Sequence, residues 1–579
     1  MTLYLKKNSE TLFLVLGIIL AAFGKVWLVH VQALSAAGGA MHDEYLFIRT
    51  ASAVLNGNWL GPYDYLTLIK GPFYPLWIAL NHILGIPLLF SQHLLYIFAS
   101  LALVWALVPV LPGWKSTLLL FVVLLFNPMS FAGEIMPRVM REGIYPALTM
   151  LCFAGAIGLF LRSDQFMASS WPWSLIMVFS LPAFWLTREE GIWIIPGMMI
   201  LHLATCWKFY NYLKNEPHGF RKTRFLKICI MAGMPYVALL ICISAVKGLN
   251  YHHYGIFTVV EIKSRPFTSA YAALSRVAYA ETRRYVPVPA ETRQKIYAVS
   301  PTFEKLHPYL EGPVGQKWIG YVCAAVPTEN IDHDSEFYRY IDLIEIACDD
   351  LAGGWFIWAL RDSAAAAGFH CNALKAQRFY AQLANEVNES CDNGNIRCFD
   401  KRNSLIPNID IKYFPFIVDS LAQGIVYLFS FKNFSATPLP SWGTLESISL
   451  VAHVTGNKLF FPDKDKQQPQ DKIRMKILEG IGKIYQKAAP WAGLFLLCSP
   501  LILFFTFWKN PFTFPFFIMW LSLVVAIMTR LFMLAIIDTC SFPAISAQYL
   551  SPIYPLMLCL CYLSMVFVGL YTRRKIDKL

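Results

Sequence analysis

Apolar positions along the chain gather into long blocks rather than alternating or recurring on one face. A membrane helix needs about 20 mostly apolar residues. Ten blocks approach that pattern, at roughly 11–34, 90–111, 116–133, 143–162, 172–186, 191–207, 228–247, 490–508, 512–537 and 546–571. The fifth and sixth are parted only by Thr187-Arg188-Glu189-Glu190, and they read either as two short helices or as one long kinked helix. The first block, with the Ala-rich stretch 34–40 behind it, is too long for the core of a signal peptide and reads as a retained helix.

Between the seventh and eighth blocks the pattern turns polar over residues 249–489, a length that suits a domain of its own. Within it, 355–389 reads as two helices around Gly368. The runs 255–260 and 447–451 read as short strands, 464–472 as a solvated loop, and 473–488 as an amphipathic helix leading back to the membrane. The expected architecture is a polytopic α-helical membrane protein of about ten transmembrane helices, with a large α+β domain between spans seven and eight. Residues 1–248 form an N-terminal transmembrane module with its first outer loop at 35–89. Residues 249–489 form the outer domain, and 490–579 a C-terminal transmembrane module.

Composition agrees with the pattern. The 579 residues are 56% hydrophobic and 15% charged, and mean hydropathy is +0.47. Ordinary soluble domains carry about 25% charged residues. A disordered chain, a nucleic-acid-binding tail and an ordinary soluble enzyme are excluded. The net charge of +12 belongs to loops that set orientation and does not call for nucleic acid. One set of loops carries Lys6, Lys7, Lys115, Arg162, Lys208, Lys214, Arg221, Lys222, Arg224 and Lys227, then Lys509, Arg573, Arg574, Lys575 and Lys578. The opposite short loops hold only Arg49, Lys70, Arg138, Arg141 and Arg188. The first set is expected on the cytoplasmic side, which places 249–489 outside. In a bacterium that is the periplasmic face of the inner membrane.

Five cysteines, Cys323, Cys348, Cys371, Cys391 and Cys398, fall in the polar segment. Cys391 and Cys398 flank Asp392-Asn393-Gly394-Asn395, a turn signal that makes them the best disulfide pair in an oxidising exterior. Five leave at least one unpaired. No Cys-x-x-Cys pair supports a zinc site.

Charges beside apolar blocks are costly and often functional. The first loop reads Met41-His42-Asp43-Glu44-Tyr45-Leu46-Phe47-Ile48-Arg49 and opens a helix that runs to Asn56-Gly57. Phe47, Ile48, Ala51, Val54 and Leu55 share one face, which suits a helix lying along the membrane surface. Asp43 and Glu44 either cap this helix or stand at the water–membrane boundary as a base. Lys70, ahead of Gly71-Pro72-Phe73-Tyr74-Pro75, either snorkels or binds a lipid phosphate. Arg138-Val139-Met140-Arg141-Glu142 and Arg188-Glu189-Glu190 are mixed-sign clusters that pair internally or line a polar cavity opening outward. Lys25, His30 and Arg530 lie in or near apolar blocks, where a structural carboxylate partner is the safer reading. His252 and His253 lack a third ligand, so a metal there is weakly supported. No Walker motif, dinucleotide fingerprint or Gly-x-Ser-x-Gly elbow occurs. Asp164 and Glu216 are thin cover for a cytoplasmic site.

The helix, the acidic pair Asp43-Glu44, the stretch from Lys70-Gly71-Pro72 to Pro75-Leu76-Trp77, and the late Gln548-Tyr549-Leu550-Ser551-Pro552-Ile553-Tyr554-Pro555 together resemble the GT-C superfamily of membrane glycosyltransferases. The likeness is greatest to the branch of protein O-mannosyltransferases and the lipid A aminoarabinose transferase. It covers mainly 1–240 and more loosely 490–579. Gly71 stands where the branch has proline, and Gln548 where arginine is common.

The resemblance implies an inverting glycosyltransferase that moves a sugar from a polyprenyl-phosphate donor to a periplasmic acceptor glycan, lipid or protein. Asp43 matches the base, Glu44 the second acid and Lys70 the phosphate-contacting position. Arg141, Arg188 and Arg49 are further phosphate candidates. Glu142, Glu189, Glu190 and Tyr549 are candidates for sugar, acceptor or orienting contacts. No cofactor is required; a divalent cation on Asp43 and Glu44 is the weaker alternative. The competing readings are a transporter or flippase of lipid-linked saccharides, or a glycan polymerase or ligase.

Overall fold

A computed structural model describes residues 2–576 except 164–166, 215–217, 325–334, 407–408, 463–467 and 507–511. Asp164, Glu216, Lys509, Lys578 and part of the expected 464–472 loop lie outside the described residues.

The chain is helical throughout the N-terminal part: α1 (Thr2–Val29), α2 (Glu44–Leu55), α3 (Phe73–Ile83), α4 (Leu88–Leu107), α5 (Trp114–Leu125), α6 (Tyr145–Arg162), α7 (Met167–Thr187), α8 (Ile195–Lys214) and α9 (His218–Tyr254). The polar segment adds α10 (Arg265–Ser275), α11 (Ala290–Val299), α12 (Pro301–Glu304), α13 (His307–Leu310), α14 (Pro313–Cys323), α15 (Ser335–Ala347), α16 (Gly353–Ala366) and α17 (Ala373–Asp392). Then come α18 (Phe414–Ser430), α19 (Leu445–Thr455), α20 (Pro469–Thr506), α21 (Thr513–Cys540), α22 (Ala547–Leu550) and α23 (Tyr554–Ile576).

Among the described residues eight helices are long and apolar enough to cross a membrane: Ser9–Val29, Leu88–Val110, Tyr145–Arg162, Gly191–Tyr212, Cys229–Tyr254, Ile411–Ser430, Thr513–Cys540 and Ala547–Arg574. Seven coincide with expected blocks. The block at 116–133 becomes the 12-residue α5. It stops because Asn127-Pro128 breaks the pattern, the Asn127 side chain accepting from Met129 N–H in a 3-10 turn at Pro128–Ser130. The blocks at 172–186 and 490–508 become α7 and the end of α20, neither of which is among the eight. The chain between α7 and α8 turns at 188–190, so these are two helices and not one kinked rod.

The polar segment differs from expectation. Its described residues form helices and isolated β-bridges, with no extended strand. Residues 447–451 lie in α19, whose ends are fixed by the Thr444 side chain accepting from Ser447 N–H and by Gly456 in the left-handed region; these stop signals outweigh the β-branched run. Residues 255–260 run as irregular chain that buries Ile256 beside Leu60 and Leu68 and hydrogen-bonds at Glu261 N to Leu68 O, 2.6 Å, without a partner strand. The helix pair around Gly368 forms as α16 and α17. Residues α10–α17 enclose a second core around Phe267, Tyr271, Phe303, Phe356, Phe379 and Tyr380.

Ile411–Ser430, which the sequence reading placed in the soluble segment, packs along α20 and α21. Ser420 there donates to buried Asp538 at 2.7 Å. Beyond it the chain returns to the first loop. Leu34 N bonds Lys458 O at 2.9 Å, Phe460 N bonds Leu34 O at 2.9 Å, and Trp442 N bonds Ala36 O at 2.8 Å. These contacts fasten residues 34–38, and hence the start of α2, to the late part of the segment. The apolar face of α2 packs on α3 and α19 instead of lying open.

Cys391 and Cys398 are disulfide-bonded as expected, and a second bridge joins Cys323 to Cys348. Cys371 is free. Lys25 is buried against the Ser130 hydroxyl at 2.6 Å and the Phe131 ring at 4.2 Å from its centroid, so its partner is not a carboxylate. His30 is exposed.

Candidate active site

Asp43 and Glu44 diverge at the start of α2. Asp43 occupies the N-cap position, yet its side chain makes no capping hydrogen bond. It forms an ion pair with Lys70 instead. Water reaches 54% of the Asp43 side chain and 11% of Lys70. Crowding by the protein pushes the Asp43 carboxyl up, but the Lys70 charge and hydrogen bond, helped by Arg141 and Arg138, outweigh it and hold the group at about 2. Burial lowers the Lys70 ammonium below the ordinary lysine value, with Asp43 opposing and Arg141 adding to the shift.

Glu44 is buried and takes Arg138 Nε at 2.7 Å. Burial lowers the Arg138 guanidinium, and Glu44 more than restores it, so the net shift is upward. The clusters at 138–142 and 188–190 interlock. Arg141 NH1 meets Glu189 Oε2 at 2.7 Å, Arg188 pairs with Glu142, and Arg188 Nε lies 2.6 Å from Glu190 Oε1. Arg530 reaches Glu190 at 3.5 Å and donates to Tyr549 O at 2.9 Å, so this buried arginine does have a carboxylate neighbour. Glu189 Oε1 also accepts from Gly71 N at 2.7 Å, which ties the Lys70 loop to the turn before α8. The rings of Phe47 and Tyr549 lie under Lys70 and Arg188 at 5.0 and 5.5 Å.

Arg49 pairs with Asp64 at 2.9 Å, both side chains more than a third exposed, and lines a small pocket together with Lys70 and Gly71. His252 and His253 end α9, exposed, away from the cluster. Among the described residues no group of three or more His, Cys, Asp or Glu side chains is arranged to hold a metal ion.

Above Asp43 opens a cavity of about 500 Å³. Its floor is Gly39, Ala40, His42 and Asp43. Its walls are Trp318, Tyr321, Trp355 and Trp358 from the polar segment, Trp442 from the stretch after α18, and Phe542 and Tyr549 from the C-terminal part. Sequence reasoning missed these walls except Tyr549. The Trp355/Trp358 spacing was a legible signal of one helical face; the convergence with Trp318 and Trp442 was not. His42 was likewise passed over. Its ring lies edge-on to Trp318 and Trp358, at 4.6 and 5.1 Å. Burial and Lys317 lower it to about 4, so it is neutral near pH 7.

No protein-family model, no curated protein and no solved structure matches the chain.

Proposed function

We propose that the protein is an inverting, GT-C-type glycosyltransferase that moves a sugar from a polyprenyl-phosphate donor to a cell-envelope acceptor on the periplasmic face of a bacterial inner membrane. The observation that carries this reading is Asp43, which lines the 500 Å³ cavity and is ion-paired with Lys70 behind it. A carboxylate open to water and an ammonium beside it are the two charges such a transfer needs.

The acceptor hydroxyl gives its proton to Asp43 as its oxygen attacks the anomeric carbon from the side opposite the phosphate. The bond from that carbon to the phosphate oxygen breaks, and the electron pair leaves with the polyprenyl phosphate. Lys70 meets the charge that develops there. In the free protein Lys70 is engaged with Asp43, which keeps the carboxyl weakly basic. A donor phosphate competes for the same ammonium, and as Lys70 turns toward it the basicity of Asp43 rises. The base is therefore strengthened where the donor is bound.

Other candidates take narrower parts. Glu44 is buried on Arg138 and holds that cation in place. Arg141 and Arg188 stand behind Lys70, paired with Glu189 and with Glu142 and Glu190; Arg141 Nε has no hydrogen-bond partner among the described residues and is the donor left for a phosphate. Arg49 is engaged with Asp64. The chemistry needs no metal ion.

The test is transfer by the purified full chain in nanodiscs, with a panel of undecaprenyl-phosphate hexoses and pentoses, scored as release of undecaprenyl phosphate. Asp43→Asn is expected to lower the rate by about 10²–10⁴-fold while the protein still folds, its unfolding temperature reduced by the loss of the Lys70 pair. Wild-type turnover in that variant removes Asp43 from the base role.

A further inference from the structure

Resting on the transferase reading of this site, we propose that the acceptor is a saccharide, seated on an indole platform that the polar segment builds opposite Asp43. The sequence left glycan, lipid and protein open; the cavity walls choose among them. Trp355 and Trp358 stand one turn apart on α16 and face the cavity, each partly reached by water. Trp318 backs Trp358: the two indoles are 10° from parallel with centroids 6.1 Å apart. Trp318 is held in turn, its Nε1 donating to Asp362 at 3.1 Å while Lys317 pairs with that carboxylate at 3.2 Å. His42 touches both indoles edge-on and is bonded in sequence to Asp43. The platform is thus pre-set, and set relative to the carboxylate.

A pyranose has one face of C–H groups and a rim of hydroxyls. Flat, fixed indoles suit the face, and the polar ends of Tyr321, Tyr549 and Asp43 suit the rim. A cavity of about 500 Å³ is larger than one monosaccharide fills and lies in the ordinary range of about 300–1,000 Å³ for small-molecule sites. An acyl chain has no use for a polar rim. A peptide acceptor calls for unpaired backbone donors and acceptors along the wall, and these walls are side-chain rings apart from Gly354, whose N–H is already given to Ser541 O.

Saturation-transfer difference NMR tests this with the full chain in nanodiscs and methyl pyranosides of the gluco, galacto, manno and N-acetylgluco configurations as probes. Transfer to ring C–H protons of at least one glycoside is expected in the wild type. It should fall about tenfold or more in Trp358→Ala and persist in Trp358→Phe. Thermal unfolding of each variant checks that it is folded, and Trp355→Ala serves if Trp358→Ala is not. No transfer to any glycoside in the wild type, wild-type transfer in a folded alanine variant of Trp358 or Trp355, or binding of tetramethylammonium with no glycoside bound overturns the proposal. The two readings fail separately. A glycoside that binds while Asp43→Asn still turns over sinks the transferase and leaves the platform. Loss of turnover in Asp43→Asn with no glycoside bound does the reverse.

Discussion

At Gly71 the Lys70 loop meets the last turn of α7 backbone to backbone. A Cβ built there meets Leu186 O at 2.2 Å, Leu186 C at 2.9 Å and Thr187 C at 3.2 Å. All three are backbone atoms, so no side chain can rotate aside. Reaching ordinary contact asks the two segments to part by about 1.2 Å. Overpacking of this kind costs about 1–3 kcal/mol. The Gly71 N–H that donates to Glu189 at 2.7 Å is stretched in the same movement. Lys70 is the next residue, so its ammonium moves relative to Asp43. A displacement of about 1 Å at a reacting group costs about 10²-fold in rate. Gly71→Ala is therefore expected to lose about 1–3 kcal/mol of stability and about two orders of magnitude in transfer. Gly71→Pro should be worse, since it also removes the N–H. Thermal unfolding in nanodiscs and the undecaprenyl phosphate release assay measure the two effects. A Gly71→Ala protein that matches the wild type in both refutes the claim that this contact positions Lys70.

Further outcomes follow from the charges. Arg188→Met leaves Glu142, 1% exposed, without its cation, and should cost about 3–5 kcal/mol; adding Glu142→Gln should restore part of this, and strict additivity in that double-mutant cycle would deny the coupling. The pH profile of kcat/KM should show no acid limb from Asp43 above about pH 4, since that group is held at about 2. The stabilising contribution of its lowered pKa is complete above the unfolded value of about 3.9 and lost as pH falls through about 2. An alkaline limb should fall below the ordinary lysine value of 10.5, because Lys70 is lowered. Lys70→Arg should move that limb upward if activity survives; a limb indifferent to this change would belong to another group.

The long apolar blocks were legible because burial in lipid demands length and composition alone. The block at 116–133 was read through Pro128, whose local rule ends α5. Ile411–Ser430 was hidden by its setting in a polar segment and by Asp419 and Gln423 within it. The strand reading of 447–451 gave weight to β-branched residues over Thr444 and Gly456, which were present as helix signals. At the site, the acidic pair and Lys70 could be found one by one, as charges beside apolar blocks. Their pairing could not: Lys70 is 27 residues from Asp43, and Arg138 is 94 from Glu44. Arg49 looked equivalent to the others in sequence, and its pairing with Asp64, 15 residues on, was not legible there. The aromatic walls of the cavity come from four distant stretches, which no local spacing records.

The central claim is that one ammonium serves both the base and the leaving phosphate. It is tested most directly by an electron cryomicroscopy structure of the full chain in nanodiscs with undecaprenyl phosphate added. The account predicts phosphate density within hydrogen-bond reach of Lys70 Nζ, with that side chain turned away from Asp43. Headgroup density elsewhere, with the Lys70–Asp43 pair intact, contradicts it.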